Sequence, residues 1–412
     1  MTSTAVHTDA EKQKDVASNR YLDAARDAVQ ILLEKQSKHW GDDPAGALSI
    51  VISGLSYRGF TTIGTGVEKG TYYTCVFAGE PMTPEAYRLD MRIWPILELF
   101  SDITGDPKYR KYVAAMAQAF MRDGFDPVSG LPYLGEMAEF DVARRAPATI
   151  ASMYSEVYFK PNDCMPLDAL WAADPAVMSR MFHSMFYGLI QRPETMEYNR
   201  FCEYGFDADN KKFCREFNSH NNATAYAGAY MIHWWGYFFA RTGDAECREW
   251  AEKMTDKWLA VQNPESGLVP AWFGSNRTDD SVMPPKTFCN NWDASTAVTY
   301  LRAAKEWGKR PEGKALAAKL ETMGHRLAEG MARYGYDVET RNFPQWINID
   351  GSRRLETTWY TFYSQEEKDE VRARDPKVDA VDVMYGSGFY EGIRPWMPMA
   401  GNPLPYSLAL AA

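Results

Sequence analysis

The 412-residue chain is short of the patterns that announce most chemistries. Its cysteines, at 75, 164, 202, 214, 247 and 289, include no Cys-x-x-Cys pair and no regular framework, which excludes a disulfide scaffold and points to free thiols in a reducing compartment. Cys202 and Cys214 near His220 come nearest to zinc-ligand spacing, but no fourth partner stands close to them in sequence. Positive charge is also scarce: 45 Lys and Arg against 55 Asp and Glu leave a net charge of −10, with no basic stripe to meet nucleic acid or an anionic membrane surface. No apolar run approaches the length of a transmembrane helix. The opening "MTSTAVHTDAEKQKDVASNR" lacks the apolar region of a signal peptide. The expectation is a cytoplasmic protein with neither a nucleic-acid nor a membrane partner. Also missing are GxGxxG after a strand, a Walker loop, HExxH and a Gly-x-Ser-x-Gly elbow.

Aromatic residues, by contrast, are plentiful: 14% of the chain, with 13 Trp and 24 Tyr. Such side chains fill cores, and they also line grooves that hold sugar rings. One pattern recurs among them. "FDPVSGLPYLGE" from Phe125 is echoed by "QNPESGLVPAWFGS" from Gln262, and more weakly by "FDADNKKFC" from Phe206 and "YDVETRNFPQWI" from Tyr336. Before the first two run "TGDPKYRKYVAAMAQAFMRDGF" and "TGDAECREWAEKMTDKWLAVQ", which share an opening Thr-Gly-Asp. The spacing predicts a glycine that ends one helix in a left-handed turn and an aspartate that caps the next. Tyr109, Val113, Met116 and Phe120 then recur at helical period. Further helices are predicted over "EAYRLDMRIWPILELFSDI" and "AYAGAYMIHWWGYFFAR". About 70 residues per unit gives roughly six units.

The predicted fold is all-α, an (α/α)6 or (α/α)7 toroid of helical hairpins with minor β-hairpins at "GTYYTCVFAG" and "RLETTWYTFY". Residues 1–20 read as a flexible segment and 21–412 as one catalytic toroid domain ending in a Pro-rich tail. Irregular loops over 131–170 and 268–293 would build one face and its cleft.

Three constellations carry candidate chemistry. The first runs from Tyr154 to Arg200 and holds Glu156, Lys160, Asn162, Asp163, His183 and Tyr198. His183 adjoins the apolar stripe Met178, Met181, Phe182, Met185 and Phe186 and reads as a structural histidine. The second, Asn218, His220, Asn221 and Asn222, crowds more amide and imidazole groups before a helix than a cap requires. The third, Asn290, Asn291, Trp292 and Asp293, again precedes a helix, and Trp292 with Trp272 and Phe273 offers faces on which sugars stack. Helix starts of this kind open on one end of a toroid, so the segments are expected to share a cleft.

The order "GLPYLGE … SEVYFKP … LDALWAADPAVMSRMFHSMFYGLI … YNRFCEYG … NPESGL", over residues 90–275, resembles the helical-barrel pectate lyases of polysaccharide lyase family two. The resemblance implies an (α/α) toroid that cleaves uronate polymers by β-elimination, with a divalent metal (Mn or Ca) held by a Glu and two His, and an Arg as base. Glu156 and Arg200, 44 residues apart, match the family's Glu and Arg. The histidine expected after the arginine is Phe201, and no histidine accompanies Glu136 and Glu139, where the other is expected.

The chemistry states what is needed. The proton beside a uronate carboxylate leaves only when that carboxylate is neutralised, by a metal or by Asn, His and Arg donors. Asn218, His220 and Asn222 are candidate neutralisers, and Arg200, Tyr198 and His220 compete as base. The expected substrate is an acidic oligosaccharide or polysaccharide. Three alternatives stay open: a glycoside hydrolase using two of Glu136, Glu156 and Asp293, a sugar isomerase, and a non-catalytic glycan-binding protein.

Overall fold

The computed structural model of the chain describes residues 20–35, 93–132, 166–198, 223–273, 295–336 and 346–352, with short strands between 37 and 289. The segment before Arg20, the hairpin at "RLETTWYTFY" and the Pro-rich tail lie outside the described residues. These residues fall into two compact units, the second made of 158–162, 182–202 and everything from Phe206 onward. No described helix is long and apolar enough to cross a membrane.

The first unit carries helices α1 (Arg20–Lys35), α2 (Ile93–Thr104), α3 (Lys108–Asp123) and α4 (Leu167–Ala173). Helix α5 (Pro175–Leu189) belongs to it as far as Met181 and to the second unit from Phe182. The second unit continues with α6 (Ala225–Thr242), α7 (Ala245–Val261), α8 (Thr296–Trp307) and α9 (Lys314–Tyr334). Helix α2 starts later than its periodicity predicts. Pro95 disfavours helical backbone at the residue before it and sits comfortably only in a first turn, so Ala86–Tyr87 upstream pairs instead with Ala138–Asp141 as a strand. The loop expected over 131–170 therefore contains a ladder, Ala138–Asp141 with Ala146–Thr149. The expected hairpin at "GTYYTCVFAG" resolves into two, with Thr71–Tyr72 paired to Ile63–Gly66 and Val76–Phe77 to Glu80–Pro81.

The repeat is real at atomic level. At Thr104-Gly105-Asp106 the Thr hydroxyl donates to Phe100 O at 2.5 Å and the Asp106 amide donates to the Thr hydroxyl at 3.2 Å. At Thr242-Gly243-Asp244 the same bonds run to Phe238 O at 2.9 Å and to the Thr hydroxyl at 3.2 Å. Gly105 and Gly243 hold φ of 70° and 73°, a region that L-residues enter at a cost. Asp244 then caps α7 by accepting the Cys247 amide at 2.8 Å. The second shared turn matches as closely. Asp126 Oδ2 accepts the Ser129 amide at 2.7 Å and Asn263 Oδ1 accepts the Ser266 amide at 2.9 Å. The two ladders Asp126 N to Leu131 O and Asn263 N to Leu268 O both measure 2.9 Å. Even the arginine that straps each turn recurs, Arg180 on Pro127 O and Arg326 on Pro264 O, both at 2.8 Å.

The stripes Tyr109, Val113, Met116, Phe120 and Met178, Met181, Phe182, Met185, Phe186 are buried as their period requires. Helix α6 is buried on nearly every face, and indoles seal it: Trp307 Nε1 donates to Ile232 O and Trp235 Nε1 to Phe182 O, each at 3.0 Å. Phe186 and Trp250 stack at 4.0 Å. Truncating one such Trp to Ala removes about 3–5 kcal/mol.

His233 lies on α6, as the apolar helix around it predicts. Burial pushes its pKa down to about 3, with Arg302 and Lys309 adding to the effect. An unfolded histidine titrates at about 6.5. Between about pH 6.5 and 3 the unfolded chain therefore takes a proton that the folded chain refuses, and stability falls as pH falls through that window. Part of the side chain reaches solvent, which discounts the energy. In urea titrations at about pH 4.5, referenced to pH 7, His233→Gln is expected to lose on the order of 2 kcal/mol less than wild type. An equal loss in both proteins would place the acid sensitivity elsewhere.

Candidate active site

The site is built outward from Tyr198. After α5 the chain makes a hairpin, Ile190–Arg192 with Glu197–Tyr198, around the break at Pro193. The turn sets Met196 at φ 55° and is clasped by the Arg192–Glu197 ion pair at 3.0 Å. Tyr198 then enters the core, 2% exposed, its ring edge-on to Phe273 and its hydroxyl donating to the Thr224 carbonyl. Thr224 pairs with Trp272 and Ala223 with Phe273. The Ala225 amide donates to Ala271 O at 3.0 Å, and the Ala271 amide to Thr287 O at 2.6 Å. Thr287–Cys289 in turn pairs with Trp346–Asn348.

Backbone bonds thus tie four distant segments together at the N-terminus of α6, all in the second unit. The candidate residues flank these ties in sequence. Arg200 follows Tyr198 by two residues, Asn222 directly precedes Ala223, Trp272 is in the ladder, and Asn290 directly follows Cys289. Arg200, Lys160, Asn162, Asn218, His220, Asn221, Asn222, Asn291, Trp292 and Asp293 themselves lie outside the described residues, as does Glu136. Glu156 closes the strand Tyr154–Glu156, which lies in the first unit.

Two features of this cluster bear on chemistry. The Thr224 hydroxyl at the start of α6, and those of Ser295 and Thr296 at the start of α8, are buried without hydrogen-bond partners. Helix N-termini carry partial positive charge and favour anions. Tyr198, in contrast, is placed as a core residue. Burial, with Tyr300 adding, pushes its phenol well above the ordinary value, and its proton is committed to Thr224. A group in that state does not take a proton from substrate, which removes it from the rivals for the base. The aromatic neighbourhood that made it a candidate is the one that buries it.

The divalent metal implied by the resemblance does not fit these residues. Phe201 stands in the strand where the second ligand would be, and a phenyl ring offers no donor atom.

Residues 92–333 match the model of a family described as periplasmic pectate lyase. The chain belongs to that family. A sugar epimerase from a ruminal bacterium matches at 11% identity over 93% of this chain and 86% of its own, with a TM-score of 0.50. Cellobiose 2-epimerase from Bacillus thermoamylovorans B4167 matches at 10% identity over 76% and 78%, with a TM-score of 0.47. The unsaturated glucuronyl hydrolase of Bacillus sp. GL1 matches at 16% over 62% and 68%, with a TM-score of 0.41. No curated protein matches the chain. At such identities the epimerase likeness shows the fold alone, and the fold is the α/α toroid expected from the hairpins. The family makes the chain a carbohydrate-active enzyme.

The family also overturns the cytoplasmic expectation, since its description is periplasmic. That expectation leaned on unpaired cysteines and a polar N-terminal stretch. Unpaired thiols do not report a compartment when, like Cys247, they are buried inside helix packing.

Proposed function

We propose that this pectate lyase family member cleaves an acidic, uronate-containing polysaccharide or oligosaccharide by β-elimination. The observation that carries the reading is the convergence at the start of α6, inside the family match, of the segments flanking Arg200, Asn218–Asn222 and Asn290–Asp293.

In the proposed reaction Arg200 takes the C5 proton of the uronate, the C5–H electrons form the C4–C5 double bond, and the C4–O4 bond breaks. The departing oxygen takes a proton from water, and Arg200 returns its own proton to solvent. An arginine holds its own proton tightly in water, so the step needs a dry site with other cations close by. Asn218, His220 and Asn222 neutralise the carboxylate through hydrogen bonds rather than a metal. Lys160, Asn162, Asn221, Asn291 and Asp293 contact the sugars. Trp272 and Trp292 supply stacking faces.

The test is incubation with oligouronates, followed by the ultraviolet absorbance of the unsaturated product. Uronates left intact at neutral and alkaline pH, with and without Mn²⁺, would remove the basis of the reading. Reducing ends released without the unsaturated chromophore would select a hydrolase with paired carboxylates instead.

A further inference from the structure

At the opposite end of α6 from this cluster, about 26 Å along an 18-residue helix, three ligand types meet. A ring nitrogen of His183, a carboxylate oxygen of Asp244 and Sγ of Cys247 all lie within 4.8 Å of one another, the one such group among the described residues. We propose that His183, Asp244 and Cys247 form a binding site for a borderline transition-metal ion of the Zn²⁺ class.

Each ligand is already held. The His183 ring meets Phe238 and Trp250 edge-on, at 5.4 and 5.8 Å and nearly perpendicular to both, which fixes its plane. Asp244 commits Oδ1 to the Cys247 amide at 2.8 Å, leaving Oδ2 turned to His183 Nε2 at 3.2 Å. Cys247 comes from the first turn of α7, so Asp-x-x-Cys presents carboxylate and thiol from one helix start while α5 supplies the imidazole. Tetrahedral zinc bonds of about 2.0–2.3 Å separate ligand atoms by about 3.3–3.8 Å. The group needs to close by about 1 Å.

The donor set selects the metal. Imidazole nitrogen, carboxylate oxygen and thiolate sulfur suit Zn²⁺, whereas Ca²⁺ and Mg²⁺ take oxygen shells. The Cys247 thiol is sealed from solvent, but the His183 and Asp244 side chains are 32% and 22% exposed, which leaves a way in. The hydrogen bond from His183 pulls the Asp244 carboxyl down to about 2, so the carboxylate is ready. Burial pushes the Cys247 thiol well up, so metal binding must expel its proton.

The test uses the full chain, stripped with chelator and titrated with Co²⁺ as a coloured stand-in for Zn²⁺. Uptake of about one equivalent is expected, with a thiolate-to-cobalt charge-transfer band, release of about one proton and displacement of the colour by Zn²⁺. Cys247→Ser should abolish the band, and His183→Gln should weaken binding at least about tenfold. Absence of the band in folded wild type overturns the site, as does a band unchanged by Cys247→Ser. If that variant does not fold, a Co²⁺ affinity unchanged in His183→Gln overturns it equally. The readout is metal uptake and owes nothing to uronate cleavage, so either proposal can fail alone.

Discussion

Arg200→Ala is expected to lower kcat on oligouronates by about 10²- to 10⁴-fold, the range lost when a general base is removed, with an unchanged far-ultraviolet circular dichroism spectrum. The lysine variant separates two roles for the same side chain. As a base, Arg200 acts on the C5 proton only in the transition state, so Arg200→Lys should depress kcat with little change in KM. As a clamp on the substrate carboxylate, its planar fork binds ground and transition states alike, and lysine, which lacks the fork, should raise KM while kcat holds. An arginine base also demands a rate that keeps rising into alkaline pH in wild type, because only the deprotonated guanidine is competent. Full activity in Arg200→Ala would end its assignment, whatever the reaction proves to be. Activity lost in Arg200→Ala but kept in Arg200→Lys at high substrate would leave the clamp and hand the base to His220.

What could be read from the chain beforehand follows the range of the interactions involved. The Thr-Gly-Asp and Asp/Asn-Pro-x-Ser-Gly-Leu turns were legible because each bond closes within six residues, from a side-chain oxygen to an amide two or three positions on. A glycine at φ near 70° then follows from the turn itself. Helix periodicity located the buried stripes for the same local reason. Amphipathic spacing runs on upstream of Pro95, whereas α2 begins at Ile93 and Ala86–Tyr87 pairs as a strand. Nothing local marks the strap from Arg326 to Pro264 across 62 residues, or the division of α5 between two units.

The site divides along the same line. That Asn218–Asn222 and Asn290–Asp293 precede helices was readable from capping composition, and α6 and α8 do begin just after them. The ties that gather their neighbours, Thr224 to Trp272 and Ala271 to Thr287, are ladder bonds without a sequence signature. A tyrosine beside an arginine looks the same in sequence whether its hydroxyl faces a cleft or, as at Tyr198, donates to the Thr224 carbonyl. The cluster of His183, Asp244 and Cys247 has no sequence signature, because metal spacing rules are short-range and 61 residues separate the histidine from its aspartate. The His183 ring meets Phe238 and Trp250 beside its apolar stripe, and Asp244 caps α7 as the Thr-Gly-Asp turn predicts. What no pattern could show is that the two features meet.

Gly228→Ala is expected to cost about 3 kcal/mol of stability, although the exchange favours helix formation by about 1 kcal/mol. Gly228 lies one turn into α6, where the Trp258 indole crosses it and the Tyr198 hydroxyl points at it. A methyl there would stand 2.5 Å from that hydroxyl and 3.1 Å from Trp258 Cε2, and closer still to Trp258 Nε1. None of these atoms is the loose end of a flexible chain. Trp258 is wholly buried and set against Phe273 at 4.7 Å, and Tyr198 is anchored to Thr224. Overpacking of this kind costs about 1–3 kcal/mol, and displacing the tyrosine from a buried carbonyl adds about 1–3 kcal/mol. Sterics therefore outweigh propensity. Gly105→Ala is the control: its φ of 70° imposes strain, but the methyl meets nothing within 4 Å, and the expected loss is about 1 kcal/mol. Tyr198→Phe should cost about 1 kcal/mol alone, yet in the Gly228→Ala background it removes an atom in the methyl's way, so the double variant should be more stable than the sum of the single losses predicts. Urea denaturation of the four proteins measures that coupling. Strict additivity would mean that Tyr198 does not press on α6, and the tie that holds the end of its hairpin against the start of that helix would then have to be abandoned.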